Sequence, residues 1–154
     1  MYPALPRAIV AAGVLFFDDA GRVMLVHTTY KKPWEIPGGV VESEQGESPV
    51  DAARREIAEE LGLDITVGPV LTIDSAGAEG DRSAIVAFIF DGGVLAPEQL
   101  AKIEFVDGEL DELRFCTPDE VAGLLTGRLA RRVLSTMAVR DEGWPLPRFL
   151  RHGI

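Results

Sequence analysis

The stretch 34–63, WEIPGGVVESEQGESPVDAARREIAEELGL, reads as a loop, then a helix, then a stop. Ser48 is a favourable N-cap and Pro49 suits the first helical position, where a missing N–H costs nothing. Asp51 stands where a reciprocal cap needs it. Gly62 takes the C-terminal stop position, so the spacing predicts a helix over 48–61. Ala53, Ile57 and Leu61 fall one turn apart and form an apolar seam that would pack on a sheet. Glu56 and Glu60 flank the seam, and Glu59 lies beyond Glu60 on the same side. Like charges one turn apart cost about 0.2–0.5 kcal/mol per pair. Three carboxylates gathered there mark either a face turned to water or a surface with something positive in front of it.

The chain around this helix has 154 residues, 47% hydrophobic and 26% charged, which fits a single domain over 1–154 with a proper core. Its net charge of −10 disfavours general nucleic-acid binding. An anionic substrate would need metal cations or local arginines to offset the repulsion. The single cysteine, Cys116, excludes an intrachain disulfide and a multi-cysteine zinc site, and it suits a reducing, cytoplasmic setting. The longest apolar run, 8–17, has ten residues, against about 20 for a membrane span. It ends in Phe-Asp-Asp rather than a cleavage site, so neither a membrane segment nor an export signal is expected.

The run 8–17 is rich in Val, Ile and Phe and reads as a strand buried on both faces. The turn DDAGR (18–22) leads into a second strand, 23–30, giving a hairpin. Residues 31–39 read as loop with at most a short extended piece, and Val40 and Val41 could pair with a sheet edge. Residues 64–75 begin a β-rich stretch and 83–91 is strongly β-like. A short helix is expected after Pro97, and an edge strand or loop over 109–115. Thr117, Pro118 and Glu120 open a helix through Leu125, and another is expected over 128–140. The tail EGWPLPRFL shows no regular pattern. Strands around a central helix, followed by two late helices, predict a mixed β-sheet sandwiched between helices.

Gly38-Gly39, Glu47, Arg55-Glu56, Glu59-Glu60 and Gly62 together resemble the Nudix box, the loop–helix–loop signature of the Nudix hydrolases. From Glu47 to Leu63 every fixed position is of the expected type. The family leaves five residues between the box glycine and its first glutamate; seven separate Gly39 from Glu47 here. We read a two-residue loop insertion, which costs little closure entropy and leaves the placement of Gly38 and Gly39 against the helix open. The resemblance implies a Nudix-type α/β/α sandwich and Mg²⁺-dependent hydrolysis of a diphosphate linkage in a nucleoside diphosphate derivative, Mn²⁺ being able to substitute. Chemistry agrees with the spacing: attack of water on phosphorus develops negative charge that a hard, oxygen-ligated cation offsets.

By the same resemblance, Glu59 and Glu60 are metal ligands, and Glu56 is a third ligand or the base that orients water. A backbone carbonyl at Gly38 is a further ligand, while Glu47 and Arg55 support the loop by pairing with each other. The base in such enzymes can come from a later loop, here Glu98, Glu104, Glu109 or Glu112. A catalytically silent ligand-sensing domain is the competing reading, and a homodimer is one open assembly state. Elsewhere, Trp34 is expected to pack in the core, and His27 and His152 to be structural. Cys116 reads as a buried small hydrophobe, and Lys31 and Lys32 are placed to touch a phosphate. Arg128, Arg131, Arg132 and Arg140 would form a local basic patch.

Overall fold

Strand β1, Ile9–Phe17, is the spine of the molecule. Val14 and Phe16 face one apolar layer and Leu15 and Phe17 the other, all of them buried. A strand walled on both sides has no reason to alternate apolar with polar, which is why this run is unbroken. The computed structural model describes residues 4–30 and 33–154. Lys31 and Lys32 lie outside the described residues.

Strand β2, Val23–Thr28, returns from β1 with Phe17 opposite Val23, closing the expected hairpin. The loop that follows holds two short strands, β3 (Trp34–Glu35) and β4 (Gly38–Val40). Val40 pairs not with a sheet edge but with Ala11 in the first half of β1, and Gly39 and Gly38 pair with Ala12 and Gly13. Helix α1, Pro49–Leu61, begins and ends where its caps predict. Ser48 Oγ accepts from the Asp51 amide at 3.2 Å, Asp51 Oδ2 accepts from the Ser48 amide at 3.3 Å, and Gly62 closes the helix at φ 68°.

Strands β5 (Val70–Ala76) and β6 (Ile85–Val94) pair antiparallel, and β6 runs parallel to β1. Residues 64–69 are not strand, although Leu63 and Ile65 are buried beneath α1. Helix α2 is a single turn, Pro97–Ala101, and β7 (Leu110–Cys116) pairs antiparallel with β2. Helices α3 (Pro118–Leu124) and α4 (Gly127–Glu142) complete the second layer. The tail contains a strand that the sequence pattern missed. Strand β8, Arg148–Arg151, runs parallel to β5. Four residues of mixed polarity after two prolines carry no local strand signal; only the open edge of β5 defines them.

The sheet runs β3-β2-β1-β6-β5-β8, with β4 joined to β1 and β7 to β2. One face carries α1 through Ala53, Ile57 and Leu61, all fully buried against Val14, Phe16, Met24 and Val26. The other face carries α3 and α4 through Val121, Val133 and Met137 against Leu15, Leu25 and Ile89. This is the α/β/α sandwich with a mixed sheet. Ile57→Ala should lower unfolding stability by about 2–5 kcal/mol, measured by urea denaturation. A loss under about 1 kcal/mol would mean the seam is not the contact that docks α1.

Candidate active site

Two glycines let the loop after β3 close on both β1 and α1. Gly38 has φ +142°, and a Cβ there would lie 2.2 Å from the Ala12 carbonyl oxygen. A Cβ on Gly39 would lie 2.3 Å from Glu56 Oε1. Backbone therefore meets carboxylate with no side chain between them. The Gly38 amide donates to Glu60 Oε1 at 3.2 Å, tying the loop to the helix.

With the longer loop in place, Gly38 and Gly39 remain paired with β1 and in contact with α1. Ser43–Gln45 forms a 3₁₀ turn closed by Gly46, and all three of its residues are exposed. Beneath it the chain is pinched together: the Glu47 amide donates to the Glu42 carbonyl at 3.3 Å, and the Glu42 amide to Glu47 Oε1 at 2.9 Å. The extra residues loop outward while the flanking backbone keeps its contacts.

Arg55 is the hub of the charged face. Its Nε and Nη2 grip Glu47 at 2.7 and 2.9 Å, and Nη2 also donates to the Val40 carbonyl at 3.2 Å. Its Nη1 reaches Glu56 at 3.0 Å and Glu59 at 3.4 Å. The Arg55 guanidinium and the Glu42 amide hold the Glu47 carboxyl at about 2. The pairing therefore favours the fold at neutral pH and is lost only as pH falls from 4.5 toward that value.

Glu60 differs from its neighbours in being buried, at 5% exposure. It shares a side-chain hydrogen bond with Glu56, and two carboxyl groups can do that only with a proton between them. Burial, with the Glu56 contact added to it, pushes Glu60 up to about 9. Burial also raises Glu56, although Arg55 pulls it the other way. Glu59 is half-exposed and stands on the far side of Arg55. Helix geometry thus separates the three glutamates into a buried Glu60, a part-buried Glu56 and an exposed Glu59.

Of the later acids, Glu104 lies nearest the end of α1, its amide donating to the Leu61 carbonyl at 2.9 Å. Glu98 is exposed on α2, Glu109 spends its carbonyl on the Thr29 amide, and Glu112 pairs with Arg114. The later acid whose charge reaches Glu60 is Asp107. Sequence reasoning missed it, since one Asp in a turn has no distinguishing signal. Among the described residues no three His, Cys, Asp or Glu side chains are arranged as a metal cage. The ligand atoms that Glu56, Glu60 and the Gly38 carbonyl can offer are nevertheless hard oxygens, which suit a small divalent cation. The residues fit such an ion.

The other predicted residues are scattered. Trp34 is half-buried against the second core, with His27 tilted on it at 5.2 Å and Arg114 over its ring at 4.8 Å. His27 Nδ1 bonds Asp111 at 2.8 Å. Cys116 is buried, which raises its thiol pKa. The expected basic patch on α4 is only partly assembled. Arg131 donates to the His152 carbonyl, Arg132 is buried against Asp74, and Arg140 pairs with Asp91 over the Phe17 ring. Arg131, Arg132 and Arg140 each find their own acceptor, while Arg128 and Arg132, one turn apart, line one cleft with Arg82.

Beside Gly38 and Gly39 lies a cleft of about 190 Å³, walled by Ile36, Ile89, Leu129 and Arg132. Gly38 and Gly39 line this cleft and also meet the Glu60 and Glu56 carboxyls. The NUDIX domain model matches residues 7–136. The chain belongs to the NUDIX family of hydrolases. A MutT-like protein of Streptomyces ambofaciens is 29% identical over 135 residues, covering 85% of this chain and 77% of that protein. An ADP-ribose pyrophosphatase of Mycobacterium tuberculosis is 35% identical over 81 residues, only 49% of this chain and 39% of that protein. The MutT protein of Methanosarcina mazei Go1 shares the fold, with a TM-score of 0.69 at 20% identity, covering 92% of this chain and 100% of that one.

The Glu60 carboxyl gives this NUDIX domain a pH signature. Between 4.5 and about 9 the folded chain retains a proton that the unfolded chain has released. Stability must fall as pH rises through that window. Thermal denaturation without divalent ions should therefore show Tm dropping between about pH 5 and pH 9, and dropping less in Glu60→Gln. Equal slopes for the two proteins would remove Glu60 as the titrating group.

Proposed function

We propose that this chain hydrolyses a diphosphate linkage in a nucleoside diphosphate derivative, with Mg²⁺ as the working cation and Mn²⁺ able to replace it. The observation that supports this most directly is the buried Glu60 beside the part-buried Glu56, both set against the Gly38–Gly39 backbone. Glu56, Glu59, Glu60 and the Gly38 carbonyl would hold the metal. Bound there, it supplies a Lewis acid that offsets charge on the phosphate oxygens.

The chain's own residues do the positioning. Glu60 would have to be ionised to serve as a ligand, and its link to the Gly38 amide keeps loop and helix in register. Glu56 is either a ligand or the group that orients water, because Arg55 leaves one side of its carboxylate engaged. Arg55 and Glu47 hold the loop under the carboxylates without needing to touch substrate. In this reading the domain occupies the whole of 1–154 and works on small nucleotides in the cytoplasm, as a monomer or a homodimer. No helix among the described residues is long and apolar enough to cross a membrane. The names of the relatives keep nucleoside triphosphates and ADP-ribose among the substrates to test, with nucleotide sugars and dinucleoside polyphosphates beside them.

A substrate panel assayed with Mg²⁺ and with Mn²⁺ tests the reading. Glu60→Gln should stay folded and lose about 100-fold or more of turnover, the Glu59/Glu60 double variant at least as much. Glu47→Gln should lose about 10–100-fold, because it loosens a support rather than a ligand. Ligand-induced thermal stabilisation without release of phosphate or nucleotide from any substrate would instead indicate a sensing domain.

A further inference from the structure

A second cleft, about 470 Å³ in volume, is walled by Trp34, Glu35, Arg82, Arg128, Leu129 and Arg132 among others. Glu35, Leu129 and Arg132 also line the cleft beside the glycines, so the two are neighbours. Only the smaller one reaches Gly38 and Gly39. A ligand whose diphosphate lies at the glycine loop would therefore enter the larger cleft with a different part of itself.

Three arginines and one acid, Glu35, supply the charges of this wall. Arg132 is spent on Asp74 at 2.7 Å and adds little net charge. Arg82 and Arg128 are not spent. Among the described residues neither makes an ion pair or a side-chain hydrogen bond, unlike the arginines that brace one element against another. Backbone holds both in place. Arg82 ends a tight turn between β5 and β6, its amide donating to the Glu79 carbonyl at 2.9 Å and its carbonyl accepting from the Glu79 amide at 3.0 Å. Arg128 stands in the first turn of α4. That turn has no acidic residue, and its N-cap, Thr126, makes no side-chain cap, whereas α1 and α3 have both. Thr126 and Gly127 line the cleft too, so the uncapped helix end adds positive partial charge to that of the guanidiniums.

Two uncommitted guanidiniums match the oxygen array of a phosphate, which each can grip through two N–H groups. One would be largely offset by Glu35; two leave a positive balance. We propose that Arg82 and Arg128 form a second anion subsite, taking a phosphomonoester that the substrate carries on its sugar, away from the diphosphate. The inference rests on the nucleotide reading of the neighbouring site and narrows its substrate class to nucleotides with a phosphorylated ribose. It concerns binding rather than turnover.

The test uses ligands with no diphosphate link to hydrolyse. Calorimetric affinities with Mg²⁺ present are compared for adenosine 5′-monophosphate, adenosine 2′,5′-bisphosphate, adenosine 3′,5′-bisphosphate and inorganic phosphate. One bisphosphate isomer should bind about tenfold or more tightly than the monophosphate. That advantage should vanish in the Arg82→Gln/Arg128→Gln double variant. Arg131→Gln removes the same charge from α4 at a side chain that bonds the His152 carbonyl instead, and should keep it. Arg82 is exposed, so Arg82→Gln alone, with a partial loss, gives the same reading if the double variant does not fold. An equal affinity for monophosphate and both bisphosphates, or an advantage that survives loss of the two arginines, would overturn the proposal. So would inorganic phosphate binding as tightly as the better bisphosphate, which would make this a site for the free ion. Should the substrate panel show no hydrolysis while the arginine-dependent preference persists, the hydrolytic reading fails and the subsite stands.

Discussion

Two carboxyl groups from successive turns of one helix, Glu56 and Glu60, sit within hydrogen-bonding reach of each other, one of them almost completely buried. That is costly in a metal-free protein, because a buried carboxylate resists ionising and a second beside it resists more. The rest of the architecture keeps the pair in place. The apolar seam of α1 fixes the helix roll, so Glu60 cannot rotate out to water without exposing Ile57 and Leu61. Strand β4, pinned to β1 by the register of Gly38 with Gly13, brings the loop amide down onto Glu60. Packing, not charge, holds the charged groups where they are.

Arg55 shows how such a surface stays stable without a cation. It spreads one guanidinium over Glu47, Glu56 and Glu59, and the Glu47 grip is bidentate and tight. The division of labour follows from geometry. The fork of the guanidinium is committed to Glu47, while Nη1 reaches the two helix glutamates at longer range. A divalent ion approaching Glu56 and Glu59 would have to compete only for that weaker arm, leaving the Glu47 clamp and the loop undisturbed.

What the sequence made legible was whatever local chemistry decides. The ends of α1 were readable because Ser48, Asp51 and Gly62 satisfy backbone groups within a few residues of themselves. The buried character of β1 was readable because a continuous apolar run needs walls on both sides. That Glu56, Glu59 and Glu60 share one side of α1 was visible from spacing, though not which of them is buried. What escaped depended on distant partners. Strand β8 exists because β5 offers an unpaired edge, and nothing in 148–151 announces it. Asp74 and Arg132 are 58 residues apart and meet only because α4 crosses the sheet. A spacing rule could show that the loop before Glu47 was longer, but not that the extra residues turn outward over a Glu42–Glu47 pinch.

The same contrast explains how a chain of net charge −10 could accept an anion. Its arginines are largely committed to its own acids: Arg22 to Asp18, Arg55 to Glu47, Arg132 to Asp74, Arg140 to Asp91 and Arg148 to Glu142. These pairs tie helix to strand and turn to turn, and little of their charge is left to attract a diphosphate. Arg82 and Arg128, which line the larger cleft, are not among these pairs. The surface thus concentrates carboxylates at the glycine loop and uses many of its arginines as struts between elements.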